Sequence, residues 1–157
     1  MNMIKMIIMD VDGTLTDGKI YYGNNNEEFK SFSIKDGLGI HDILPKHDIL
    51  PVVITGRKSN IVARRAKELG IEEIYQGVSN KLEQMKNVMK KYSFSYNQIA
   101  YIGDDINDLD CMQLIKDNGG IIACPSDASK EVKIGYVCKN AGGNGAVREF
   151  IEYLLDK

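Results

Sequence analysis

Two hydrophobic periods alternate along this chain. Short, nearly continuous apolar runs occupy residues 4–9, 49–55, 74–76, 98–102, 120–123 and 136–138, and runs of this length bounded by turn residues read as buried strands. Between them the apolar positions fall at helical spacing. In 59–69 these are Ile61, Val62, Ala66 and Leu69, with Gly70 as the stop, and in 81–92 they are Leu82, Met85 and Met89 on one face. Further helices are predicted over 108–115 and 145–155, with shorter helical segments at 36–44, ending near Pro45, and at 129–132. Pro51 has no N–H to give a ladder, so the first half of its strand belongs at an edge or at the strand start. The runs 19–22 and 29–34 are β-prone and flank Gly23-Asn24-Asn25-Asn26-Glu27-Glu28, which predicts a hairpin with a long loop. Strands alternating with helices over short connections predict an α/β fold, a mainly parallel sheet with helices on both faces.

Composition narrows this picture little. At 157 residues, 43% hydrophobic and 27% charged, the chain reads as a single domain, 1–157, with one buried core. A net charge of −2 gives no general attraction to nucleic acid or to an anionic membrane. No apolar run approaches the roughly 20 residues that span a bilayer, and no signal peptide is visible. Cys111, Cys124 and Cys138 form no CxxC pair, so reduced core thiols in a cytoplasmic protein are expected, with no zinc site.

The candidate chemistry lies at the ends of the predicted strands, where open parallel sheets bind ligands. Asp10-Val11-Asp12-Gly13 follows the first strand, Thr55-Gly56-Arg57 the next, and Gly103-Asp104-Asp105 a later one, with Asp108 just beyond and Lys81 opening a helix on the same side. Clustered carboxylates repel unless a cation or shared proton relieves them. Asp-x-Asp-Gly also opens calcium loops, but Thr14, Leu15 and Tyr21 stand where such a loop needs an acid or amide, a glycine and a glutamate. Acids that hold Mg²⁺, together with a hydroxyl and an ammonium that bind phosphate oxygens, suit phosphoryl chemistry.

Asp10-Val-Asp-Gly-Thr, Thr55-Gly, Lys81 and Gly103-Asp104-Asp105-x-x-Asp108 resemble, in order and over the whole chain, the four motifs of the haloacid dehalogenase superfamily of phosphatases. The resemblance implies a Rossmann-like sheet, with Asp10 as the nucleophile that becomes an aspartyl-phosphate and Asp12 as general acid, then base. It implies Mg²⁺ held by Asp10, Asp104 and the Asp12 backbone carbonyl, and a phosphoryl group held by Thr55 and Lys81. Asp108 would orient Lys81, and Asp105 would stand behind the metal ligands. The gaps between motifs leave no room for a cap domain; the hairpin 19–34 takes its place. With Thr16-Asp17-Gly18, Lys30-Ser-Phe, Lys35-Asp-Gly-Leu-Gly-Ile40 and Gly142-Gly-Asn-Gly-Ala-Val-Arg148-Glu, the chain resembles the capless 3-deoxy-D-manno-octulosonate 8-phosphate phosphatases. That family implies a homotetramer with associating hairpins. Relatives that cleave nine-carbon keto-deoxy 9-phosphates are the alternative, and Arg57 fits the eight-carbon type better.

Other residues invite functional readings of differing strength. Arg57, Arg65, Arg148 and the backbone at Gly56 are candidate contacts for a sugar-acid substrate, whereas Asn60, Arg64 and Lys67 share a polar helix stripe that needs only solvent. Gly142-Gly143-Asn144-Gly145 reads equally as a phosphate cradle or a flexible connection. His41 and His47 are expected at the surface, and Met85, Met89 and Tyr92 in the core. Two competing readings have counterevidence in the sequence. A phospho-receiver domain carries its adjacent acids on the first strand, not late as Asp104-Asp105 are here, and an inactive structural relative would not retain every expected side chain. The hairpin is expected to govern substrate recognition rather than phosphoryl chemistry.

Overall fold

A computed structural model describes residues 4–157. Six strands form one sheet in the order β5-β4-β1-β6-β7-β8: β1 (Met6–Met9), β4 (Leu50–Ile54), β5 (Glu73–Tyr75), β6 (Ile99–Ile102), β7 (Ile121–Cys124) and β8 (Tyr136–Val137). Every pairing in it is parallel. β2 (Tyr21–Tyr22) and β3 (Glu28–Phe29) make a separate antiparallel hairpin. Strand alternation divides the core. Ile7 and Met9 of β1 face one layer, built with α2 (Asn60–Glu68) and α5 (Ala146–Leu155), while Met6 and Ile8 face the other, built with α3 (Lys81–Tyr92) and α4 (Leu109–Asp117). The predicted double covering is present.

Pro51 sits at the start of β4. Leu50 N–H donates to Lys5 O, so the next nitrogen faces β5, whose ladder begins only at Val52. The missing donor therefore costs no ladder bond.

The hairpin is shorter than expected. Its strands hold two residues each, and Ile34 instead opens α1 (Ile34–Leu38), capped by the Ser33 hydroxyl, which accepts from Asp36 N–H. The expected helix over 36–44 breaks up because the chain widens into a π turn at Gly39–Ile43 and then tightens into a 3₁₀ turn at Leu44–His47. The Asp-Gly-Leu-Gly segment here is a packing device. A Cβ on Gly37 would lie 2.5 Å from the Arg65 guanidinium, and one on Gly39 would lie 2.9 Å from Ile151. Buried Asp36 accepts the Arg148 amide at 2.9 Å and so caps α5 from a distant part of the chain. Burial pushes its carboxyl up to about 6 against the opposing pull of that amide.

Met85 and Met89 are core residues, His41 and His47 are exposed, and all three cysteines are buried and unbridged. Burial raises each thiol, so none presents a ready thiolate. Among the described residues no helix is long and apolar enough to cross a membrane.

Candidate active site

Asp10 follows β1 directly and its N–H is held by Ile102 O at 3.1 Å, so the carboxyl edge of the two central strands fixes its backbone. The loop beyond it closes around one carbonyl: Val11 O accepts the amides of Thr14, Leu15 and Thr16 at 3.1, 2.9 and 3.0 Å. Gly13 takes φ +87°, and a Cβ there would lie 1.9 Å from Asp104 Oδ2. Its glycine is needed twice, for the turn and for the approach of that carboxylate. Gly103 makes the same room, without the positive φ, for Asp108, whose Cγ would meet a Cβ at 2.4 Å.

Lys81, the first residue of α3, joins these strand ends. Its Nζ donates at 2.8 Å to Asp10 Oδ1 and at 2.8 Å to Asp108 Oδ1, with all three side chains almost fully covered. Burial works against the ammonium, but the two carboxylates outweigh it and raise its pKa. Asp108 Oδ1 also accepts the Tyr101 hydroxyl at 2.7 Å, and its Oδ2 accepts the amides of Asp104 at 3.1 Å and Asp105 at 3.4 Å. Tyr101 is a member of the site that the sequence reading missed. The available signal was a tyrosine inside a buried strand, whose hydroxyl must find a partner.

Oxygens of Asp10, Asp104 and Asp108 lie within 4.8 Å of one another. Lys81 balances one of these charges, and the surplus suits a divalent cation. Asp108 is fully engaged by protein donors, which leaves Asp10 and Asp104 to face it. The strain shows in their protonation. Burial, then the Asp108 charge, raises the Asp10 carboxyl despite Lys81, and burial together with Asp10 pushes Asp104 up to about 9. Carboxylates that resist ionising together are the donor set a hard cation relieves.

Above the cluster opens a cleft of about 280 Å³ lined by Asp10, Asp12, Thr55, Gly56, Arg57 and Asp104. Thr55 is fixed at the end of β4 by its N–H to Tyr75 O at 2.9 Å and by Val78 N–H to its own carbonyl at 3.1 Å. Arg57 stands half-exposed at the rim, 3.9 Å from Glu28 of the hairpin. Asp105 is exposed and caps the turn that leads into α4, accepting Ile106 N–H at 2.7 Å. Asp12 meets a residue absent from the sequence-derived site: Lys30 Nζ donates to its Oδ1 at 2.5 Å.

Other candidates lie elsewhere. Arg65 points to the base of the hairpin, 5.7 Å over the Phe32 ring and 3.4 Å from Glu68. Arg148 bonds Glu152 at 2.7 Å and lies beside Lys35. Within one chain neither reaches the cleft. The Gly142-Gly143 segment packs on the loop after Asp10 rather than cradling an anion: Gly143 N–H donates to Thr14 O at 3.0 Å, and a Cβ on Gly142 would lie 1.9 Å from Gly13 O.

This arrangement of acids, threonine and lysine, on a sheet of this strand order, is that of the haloacid dehalogenase superfamily of phosphatases. No family model matches the chain, but individual relatives do. The chain is 42% identical over 154 residues to the 3-deoxy-D-manno-octulosonate 8-phosphate phosphatase KdsC of Escherichia coli (strain K12), covering 97% of this chain and 79% of that protein. The phosphatase of the same name from Moraxella catarrhalis, solved in complex with magnesium ion, phosphate ion and a KDO molecule, superposes with a TM-score of 0.91 at 39% identity, over 99% of this chain and 87% of that one. The cobalt-bound enzyme of Haemophilus influenzae gives 0.89 at 39% identity, over 99% of this chain and 89% of that one. The chain belongs to the family of 3-deoxy-D-manno-octulosonate 8-phosphate phosphatases.

Proposed function

We propose that this protein is a Mg²⁺-dependent phosphomonoesterase that releases phosphate from 3-deoxy-D-manno-octulosonate 8-phosphate through an aspartyl-phosphate. The observation that carries the reading is the buried Asp10–Lys81–Asp108 chain beside Asp104, beneath a cleft that also holds Asp12 and Thr55. Asp10, Asp104 and the Asp12 backbone carbonyl would hold the metal. When bound, Mg²⁺ withdraws charge from the phosphoryl oxygens and relieves their repulsion of Asp10. An Asp10 oxygen attacks phosphorus, the ester P–O bond breaks, and its electron pair goes to the sugar oxygen, which takes a proton from Asp12. Water then attacks phosphorus and gives its proton to Asp12, and the aspartyl O–P bond breaks to restore the Asp10 carboxylate. Thr55 and Lys81 bind the phosphoryl oxygens. Asp108 holds Lys81, and Asp105 fixes the turn behind Asp104. Gly56 and Arg57 face the sugar acid at the rim, while Arg65 and Arg148 would meet it only across a subunit boundary. The test is kcat/KM across eight- and nine-carbon keto-deoxy acid phosphates and simple sugar phosphates. The eight-carbon substrate is expected to lead; a preference for the nine-carbon 9-phosphate would reassign the substrate.

Metal removal gives a signed expectation. In metal-free protein the raised Asp10 and Asp104 bind protons more tightly when folded than when unfolded, so their stabilising contribution exists at low pH and is lost as pH rises towards about 9. The melting temperature in chelator should fall between about pH 6 and pH 9, and Mg²⁺ should raise it most at the alkaline end. Activity should vanish in chelator and return with Mg²⁺. A metal-free melting temperature that climbs over this range would contradict the assignment.

The protein is further proposed to be a cytoplasmic homotetramer. Tyr22, Phe29 and Ile34 on and beside the hairpin are 73%, 59% and 84% exposed, and an isolated two-stranded hairpin is marginal in water. Phe32, by contrast, packs on the core. Changing Tyr22, Phe29 and Ile34 together to Ser should give smaller species by light scattering. These should lose roughly 10²-fold in kcat/KM for the keto-deoxy acid yet still hydrolyse an aryl phosphate. A monomeric but already selective parent protein would end this account.

A further inference from the structure

The hairpin reaches the chemistry as well as the substrate. β3 ends at Phe29, which faces outward, and strand alternation turns the next side chain, Lys30, inward. Two positions on, Phe32 bridges back to Thr16 and anchors the hairpin base to the loop that carries Asp12. The Lys30 side chain is 0% exposed, and its Nζ lies 2.5 Å from Asp12 Oδ1. The Asp12 side chain is 28% exposed and lines the cleft, so the covered ammonium holds one side of its carboxyl while the other stays open.

We propose that Lys30 is a positioning residue for proton transfer to the leaving oxygen, holding the Asp12 carboxyl so that its Oδ2 serves the cleft. This rests on the reading of Asp12 as the proton donor. An ammonium has donors and no acceptor, so the oxygen it engages, Oδ1, cannot carry the transferable proton towards it. That proton sits on Oδ2. As the ester P–O bond breaks, the Oδ2 proton passes to the departing sugar oxygen and Lys30 remains bonded to Oδ1 throughout. The hairpin thereby sets the aim of the acid, and a displacement of the order of 1 Å is worth about 10²-fold in rate.

The discriminating measurement is single-turnover phosphorylation with enzyme and Mg²⁺ in excess, on two substrates. A simple alkyl phosphate such as ethyl phosphate, which offers no sugar acid for the hairpin to recognise, expels an alkoxide that needs a proton, whereas a nitrophenyl phosphate expels an anion that leaves without one. Lys30→Met should slow the first by about 10- to 100-fold and the second by less than about threefold. Lys30→Gln should behave alike, and the retained aryl reaction reports an intact fold. Asp12→Asn is the reference and should show the same split, more strongly. If Asp12→Asn splits the substrates and both Lys30 variants slow them equally or not at all, Lys30 is a structural contact and the proposal fails alone. If Asp12→Asn itself slows both equally, the proton-donor reading fails and takes this proposal with it.

Discussion

Asp10→Asn is expected to abolish turnover, by about 10⁴-fold or more, in a protein that still folds. The amide is nearly isosteric with the carboxylate, but it is not a nucleophile towards phosphorus and cannot form the aspartyl ester. It also withdraws one charge from a site in which three clustered carboxylates, two of them buried, have a single ammonium among them. Metal-free Asp10→Asn should therefore melt no lower than the metal-free parent. Phosphate release and a chelator-treated thermal melt check both halves. Turnover within tenfold of the parent by a clean, folded preparation would remove Asp10 from the mechanism.

Lys81→Met is expected to damage stability and activity together. Lys81 Nζ is the shared counter-charge of Asp10 and Asp108, with its side chain 4% exposed and theirs 6% and 0%. Removing one partner of a buried ion pair costs about 3–5 kcal/mol, because the charge left behind has neither water nor a partner. Mg²⁺ should recover only part of the loss, since Asp10 faces the metal and Asp108 does not. Loss of the phosphoryl contact should lower kcat by about 10³-fold. Denaturant unfolding with and without Mg²⁺, beside steady-state rates, tests this. A variant as stable as the parent would show that Asp108 and Asp10 do not depend on the ammonium.

The reacting residues were legible because the fold collects them at positions that sequence can mark. Asp10, Thr55 and Asp104 each follow an apolar run, and Lys81 opens a helix whose apolar face is clear. A pattern that locates strand ends thus locates the site. What it missed depends on side-chain direction. Lys30 follows a strand of two residues, too short for alternation to tell inside from outside. Arg65 stands beside the apolar face of its helix, but periodicity does not say which end of the sheet that face serves, and the guanidinium spans the hairpin base instead of reaching the cleft. Glycines misled for a related reason. At Gly142 and Gly143 the pattern reports a close approach without naming the partner, and the partner is backbone, not phosphate. The break of the 36–44 helix into a π turn and a 3₁₀ turn left no local signal, since it follows from Gly39 fitting against α5.

The contact between Gly143 and Thr14 has a consequence for the order in which the molecule is made. Synthesis delivers β1 and Asp10 before the rest of the site, yet the loop that shapes Asp10's surroundings leans on a segment made more than a hundred residues later. A ribosome-bound chain can assemble the β4–β1–β6 centre of the sheet as soon as β6 emerges, but it cannot back the Gly13 turn until Gly142 and Gly143 have left the exit tunnel. Acquisition of activity is therefore expected to wait for this glycine pair: nascent chains halted before it carry every reacting side chain but not the segment that backs the Gly13 turn.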